Sequence, residues 1–257
     1  MSRQSRKEPI IARRTPKSSN PPQSLPRTAK SLAKSTSGVA QFVSKARAVK
    51  RIANAQTRII FSLDATASRA PTWQQAQSLH QELFDAASES ESTGLALQLC
   101  YFKGVATFHS SHWVTTADGL RKALSEVYCE GGITQLQRLL HHCLDQHPDS
   151  RSLKAIIFVG DAVEEDAGVL NDLAIKCRMA KRPLFIFQEG SDATASVVFA
   201  SMSALSGGVH ITLGDGSADR LRGLLASVIR LATGGRKALE SSRRESDKLL
   251  LAELKRS

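Results

Sequence analysis

Four short apolar runs punctuate the middle of this chain: Arg58–Leu63 (RIIFSL), Leu95–Phe102, Lys154–Val159 and Leu184–Phe187. Each is apolar at consecutive rather than alternate positions, the pattern of strands buried on both faces. The segments between them carry apolar residues at helical spacing. Strands of this kind alternating with amphipathic helices predict an α/β fold: a doubly wound, mostly parallel sheet with helices on both faces. One departure is expected. Leu95–Phe102 and Val105–Phe108 are separated only by Lys103-Gly104, so they should form an antiparallel hairpin at one edge of the sheet.

The predicted helices have recognisable ends. Pro71-Thr72 opens one whose stripe is Trp73, Ala76, Leu79, Leu83, Phe84 and Ala87, with Thr72 and Gln75 in capping-box positions. Others run from about Thr116 to Tyr128, along Leu136–Cys143, and from about Glu165 to Ala180. Ser191-Asp192 caps a further helix that Gly207-Gly208 ends. Val209–Leu213 is a last short strand, and the final domain helix spans about Ser217 to Leu231. Beyond Gly234-Gly235 the chain reads as a charged helix or tail, and whether it packs on this domain or on another chain stays open.

Charge divides the chain differently. The formal net charge is +11, yet residues 1–50 alone hold 12 Lys and Arg against a single acid, Glu8. The globular part is slightly acidic, so the high isoelectric point is not the footprint of a nucleic-acid-binding fold. Residues 1–35, with Pro9, Pro16, Pro21, Pro22 and Pro26, have little to bury and are expected to form a disordered basic tail. Val39, Val43, Ala46, Val49 and Ala53 then fall at helical spacing among basic residues, predicting an amphipathic lead-in helix over 36–57. The domain proper is placed at 58–233 and the charged C-terminal segment at 234–257. No run approaches a membrane span and no secretory leader is evident, so the chain is read as cytoplasmic. Cys100, Cys129, Cys143 and Cys177 lack metal-knuckle or CxxC spacing and are read as reduced thiols, buried or partly buried.

In doubly wound sheets, ligands sit at the carboxyl ends of strands where the winding reverses. That rule points to the residues after Leu63 and after Gly160. Asp64, Thr66 and Ser68 follow the first strand at i, i+2 and i+4, so three oxygen side chains can turn toward one point. Thr134 begins a helix after a Gly-Gly loop, and Asp161 ends another buried strand. Hydroxyl and carboxylate oxygens are hard ligands, suited to Mg²⁺, Mn²⁺ or Ca²⁺ rather than zinc or copper.

The order and strand-end placement of these residues resemble the metal-ion-dependent adhesion site (MIDAS) of von Willebrand factor A (vWA) domains, of an intracellular, bacterial type. The site's pattern is D-x-S-x-S followed by a distant Thr and a distant Asp. The resemblance spans about two thirds of the chain. It implies that Thr66 and Ser68 ligate a divalent cation directly, that Asp64 acts through water and fixes its loop, and that Thr134 binds directly or through water. It further implies that Asp161 supplies nearby negative charge and that one coordination position is left for a partner's carboxylate. The chain departs from the pattern in having Thr66 for Ser, Ile133 between Gly-Gly and Thr134, and Ala162 after Asp161.

The function so implied is a cation-dependent protein–protein interaction module that binds an acidic residue of a partner protein. Two alternatives stand beside it. Residues 1–50 could bind nucleic acid or an anionic membrane nonspecifically, with Phe42 as their only aromatic. A Mg²⁺-dependent phosphohydrolase would want a second acid two residues after Asp64, where Thr66 stands. Glu164, Glu165 and Asp166 could rim the site, but the preferred reading makes them the acidic N-terminus of the helix they precede. Trp73 is read as core, and His109, His112, His141, His142 and His147 as surface or satisfied polar groups.

Overall fold

The computed structural model describes residues 41–45, 56–67, 94–146, 153–214 and 218–256. The chain divides into two compact units, Met1–Ala46 and Arg47–Ser257. In the first, the described residues 41–45 are helical, with Phe42 and Val43 exposed. The basic tail, most of the lead-in helix, and the helix expected after Pro71 with its Trp73 lie outside the described residues.

The second unit is an α/β sandwich. Its elements are β1 (Thr57–Asp64), β2 (Leu95–Lys103), β3 (Thr107–Ser110), α1 (Ala117–Ser125), α2 (Leu136–Asp145), β4 (Leu153–Gly160), α3 (Ala167–Met179), β5 (Leu184–Gln188), α4 (Ala193–Ser206), β6 (Val209–Thr212), α5 (Ala218–Glu240) and α6 (Glu245–Arg256). The six strands lie in the order β3-β2-β1-β4-β5-β6. All neighbours are parallel except β2 and β3. Winding runs outward from β1 in both directions, so the reversal point falls between β1 and β4.

The consecutive apolar residues of each strand feed two cores. Ile59, Phe61, Leu63, Leu97, Leu99, Ile157, Val159, Phe185 and Phe187 face a core closed by α1, α5 and α6. Ile60, Phe102, Ile156, Phe158 and Ile186 face the other, closed by α2, α3 and α4. Period-2 alternation puts Ser62 and Asp64 on this second face, in line with Ile60 and under the helix that follows Thr134.

Two expectations needed adjustment. The hairpin does not turn on Lys103-Gly104. Lys103 pairs with Thr107, so Gly104, Val105 and Ala106 form the turn, with Gly104 at φ 59° and Val105 projecting into solvent. The last helix does not stop at Leu231 either. It continues to Glu240 through a break at Gly235 (φ 71°, ψ −174°), a conformation that glycine adopts without a Cβ clash. Leu239 and Leu250 then join the first core, so residues beyond the Gly-Gly pair are built onto this fold.

An ion pair locks that hairpin of helices. Asp247 is fully buried, and Arg230 donates to it through Nη2 at 2.7 Å and Nε at 3.0 Å. Burial works against the Asp247 charge, yet hydrogen bonds from Arg230, Ser227 and Ser242 outweigh it and hold the carboxyl below its ordinary value of 3.8. Replacing Asp247 by Asn strands the Arg230 guanidinium and should cost about 3 kcal/mol at pH 7. Because the folded pKa is depressed, the wild-type advantage is complete above the unfolded pKa and is lost as pH falls through the folded one. Urea denaturation of both proteins should show a constant gap from pH 7 to about 4, narrowing below that.

Candidate functional site

The carboxyl ends of β1 and β4 adjoin at the reversal point. A Cβ on Gly160 would lie 3.4 Å from that of Asp64 and would run into the Phe158 ring, so the absence of a side chain at Gly160 lets the two strand ends close up. Asp64 is fully buried, and its Oδ1 accepts the Thr66 N–H at 2.8 Å. This bond turns the loop back on itself. Thr66 is nearly buried and its backbone bridges to Glu130. Ser68 lies outside the described residues.

The loop between α1 and α2 is fastened alongside. Glu130 N–H donates to Ala65 O at 3.0 Å, and Ile133 N–H donates to Gly104 O at 3.1 Å. Gly132 is required here, because any Cβ would overlap the Gly104 carbonyl. Lys103 Nζ lies 2.9 Å from the Tyr128 ring centroid and 3.5 Å from Glu130 Oε2. Burial disfavours the Lys103 charge, but Tyr128 and Glu130 prevail and raise its pKa. Thr134 follows, its side chain buried at the mouth of α2.

The connection between β4 and α3 comes to meet it. Glu164 Oε2 accepts from Thr134 N–H at 3.0 Å and from Thr134 Oγ1 at 2.7 Å, while Glu164 N–H donates to Thr134 Oγ1 at 3.2 Å. Glu165 accepts from Leu136 N–H at 2.6 Å and from Gln137 N–H at 2.8 Å. Gln135, at the N-cap of α2, makes no side-chain cap bond, so Glu165 does this work from a distant part of the chain. At the other end of α2, buried Arg182 donates to the carbonyls of Cys143, Leu144 and Gln146. A carboxylate at the N-terminus and a guanidinium at the C-terminus both complement the helix dipole. The expectation that the three acids serve the helix they precede therefore holds only for Asp166, which caps α3 through Val169 N–H at 2.9 Å.

Asp161 stands between these contacts, three residues before Glu164. Its Oδ1 is buried and accepts no hydrogen bond among the described residues. A buried carboxylate oxygen of this kind calls for a donor or a cation. Thus the structure brings Asp64, Thr66, Thr134 and Asp161 to one end of the sheet and adds Glu164, whose contact with Thr134 the sequence did not reveal. Among the described residues no group of three His, Cys, Asp or Glu is gathered tightly enough to hold a metal by itself. Any cation would depend on the hydroxyls, which is the donor chemistry of the sequence pattern. The donors fit a hard divalent ion: anionic and neutral oxygens, no sulfur or imidazole.

Of the other candidates, His147 lies outside the described residues. His142 bonds Gln98 Oε1 at 2.9 Å and His210 bonds Gln188 Oε1 at 2.9 Å, and burial lowers both imidazole pKa values. Cys100, Cys143 and Cys177 are buried free thiols, and burial raises Cys100 to about 12 and Cys177 to about 11. A cavity of about 430 Å³, lined by residues such as Pro183, Phe185, Val228 and Leu254, opens at the amino-terminal side of β4 and β5. Its lining has neither hydroxyl nor carboxylate.

Comparison with solved structures shows the fold. No family profile and no curated protein matches the chain. Structural neighbours include a von Willebrand factor type A protein from Catenulispora acidiphila (TM-score 0.54, 13% identity, 68% of this chain and 43% of that one). The SpRpn10 VWA domain aligns with TM-score 0.52 at 11% identity, over 65% of this chain and 94% of that one. Proximal thread matrix protein 1 from the mussel byssus, with a zinc-occupied MIDAS motif, aligns with TM-score 0.54 at 16% identity, over 69% of this chain and 46% of that one. The fold is that of a vWA domain. The chain spans less than half the length of the Catenulispora and mussel proteins.

Glu165→Ala removes the acceptor for two amides at the start of α2 and should cost about 1–2 kcal/mol. The loss should be accompanied by faster hydrogen exchange at Leu136 and Gln137, with the amides of β4 unchanged. Equal protection in both proteins would show that Glu165 does not hold the helix.

Proposed function

We propose that this chain is a divalent-cation-dependent protein-interaction module. Its vWA-like domain would hold the ion with Asp64, Thr66, Ser68, Thr134 and Asp161 and take an acidic side chain of a partner protein. The observation that carries this reading is the convergence of oxygen donors from three separate segments on the winding-reversal point, with one Asp161 oxygen buried and unsatisfied among the described residues. The bound ion would supply a positive centre for a partner's carboxylate. The chain's own residues orient it: Asp64 fixes the first loop, and the Glu130 and Ile133 backbone contacts fix the second.

The surroundings suit a protein partner. Val105, Tyr128 and Ile133 are exposed on the turn and loop beside Thr134, giving apolar surface next to a polar centre. An interaction role is favoured over phosphotransfer, because the position that would carry a general acid is the nearly buried Thr66 hydroxyl. Among the described residues no helix is long and apolar enough to cross a membrane. The buried thiols of Cys100, Cys143 and Cys177 support a reducing, cytoplasmic setting. The 12 basic residues in the first 50 support a second, separable contact, nonspecific and salt-sensitive, with nucleic acid or an anionic membrane.

Mg²⁺, Mn²⁺ and Zn²⁺ titrations followed by thermal denaturation test the cation. An ion at a hundredfold excess over its Kd stabilises the native state by about 2.7 kcal/mol. For a domain of this size that raises Tm by several degrees. Asp161→Asn, which keeps the shape and removes the charge, should abolish most of the rise. Absence of any rise in the wild-type protein would refute the reading.

A further inference from the structure

Glu164 has no place in the D-x-T-x-S, Thr, Asp pattern, yet it is the side chain in closest contact with one of the pattern's members. Its carboxylate oxygen takes both the amide and the hydroxyl protons of Thr134, and its own amide returns a bond to that hydroxyl. Capping alone does not explain this arrangement. Glu165 already holds the first amides of α2 with both of its oxygens, and Thr134 precedes the helix. A hydroxyl has one proton and two lone pairs. Here the proton points to Glu164 and one lone pair accepts the Glu164 amide, which leaves a single lone pair for anything else. Thr134 is therefore held in one orientation, and its oxygen is made more electron-rich by donating to an anion.

The contact also changes the charge of the site. Asp64 and Asp161 would together neutralise a divalent ion. Glu164 adds a third carboxylate at hydrogen-bond distance from a ligand residue and leaves the assembly net anionic. An incoming carboxylate then meets excess negative charge, where a site with two acids would present none. Glu164 is itself exposed, whereas the Thr134 it covers is buried. The side chain can thus swing into solvent without breaking the core.

We propose that Glu164 is a built-in acidic ligand that keeps this site closed: its carboxylate occupies Thr134 and is the group that a partner's acidic side chain must displace. This rests on the cation-dependent reading above and specifies its regulation. The resting domain is self-capped, and binding requires exchange of one carboxylate for another.

The test uses the full chain, Mn²⁺ as the ion and acetate as the minimal partner carboxylate. Electron paramagnetic resonance gives the Mn²⁺ affinity of the wild-type, Glu164→Gln and Glu164→Ala proteins. Relaxation of the acetate methyl protons by bound Mn²⁺ reports how readily an outside carboxylate reaches the ion. Glu164→Gln retains an acceptor for Thr134 but loses the charge. It should bind Mn²⁺ more weakly, by about tenfold, because ligand charge sets affinity. It should also admit acetate at about tenfold lower concentration, because the competing anion is gone. Glu164→Ala should admit acetate equally well while losing more thermal stability in the absence of metal. A purely capping role predicts the stability loss with no change in acetate access, and acetate access that does not rise in Glu164→Gln overturns the proposal. Failure of all three proteins to bind Mn²⁺ instead overturns the cation reading itself, and this inference with it.

Discussion

Two adjacent carboxylates hold the site together. Glu164 and Glu165 leave the end of β4 and bind the first amides at and before α2, about thirty residues back along the chain. A helix start exposes amide groups that need acceptors, and α2 has no capping side chain of its own. The acceptors come from the one connection that also carries Asp161. Satisfying the helix therefore fixes Thr134 relative to Asp161. Arg182 repeats the device at the far end of α2, from the segment that follows α3. Helices α2 and α3 pack against each other, and the two ends of α2 are clasped by residues flanking α3.

The sheet supplies the other half of the geometry. Strand β1 is apolar on both faces from Ile59 to Phe61, and Ser62 and Asp64 then break the pattern on the α2–α4 side. A fully buried carboxylate is costly unless it is hydrogen-bonded. Asp64 receives the Thr66 amide, which ties the cost of burying it to the shape of the loop. Gly160 lets β4 end close against Asp64, and Gly132 lets the Thr134 loop lie on the hairpin turn. Asp64 and Thr134 are thus placed by backbone contacts that belong to the fold.

The strands and their parallel order were legible because uninterrupted apolar runs ending in polar residues leave few alternatives. The strand-end positions of Asp64, Thr66 and Asp161 were legible for the same reason, being local features of the sequence. The hairpin turn was misplaced because Val105 reads as a strand residue, whereas Gly104 at positive φ starts a longer turn that leaves Val105 exposed. The last helix was cut short because Gly234-Gly235 reads as a stop. The structure instead kinks there and returns Leu239 to the core. The roles of Glu164, Glu165 and Arg182 were not legible. Their partners are distant in sequence, and an acid before a helix looks the same whether it caps that helix or another.

The central claim is that oxygen donors from three segments of the chain define one cation site. Anomalous diffraction from crystals grown with Mn²⁺ addresses it directly. The account predicts a single strong peak within coordination distance of the Thr66 hydroxyl, beside Asp161 and the β1 exit loop. A peak elsewhere on the domain, or none at a Mn²⁺ concentration that saturates binding in solution, would contradict it.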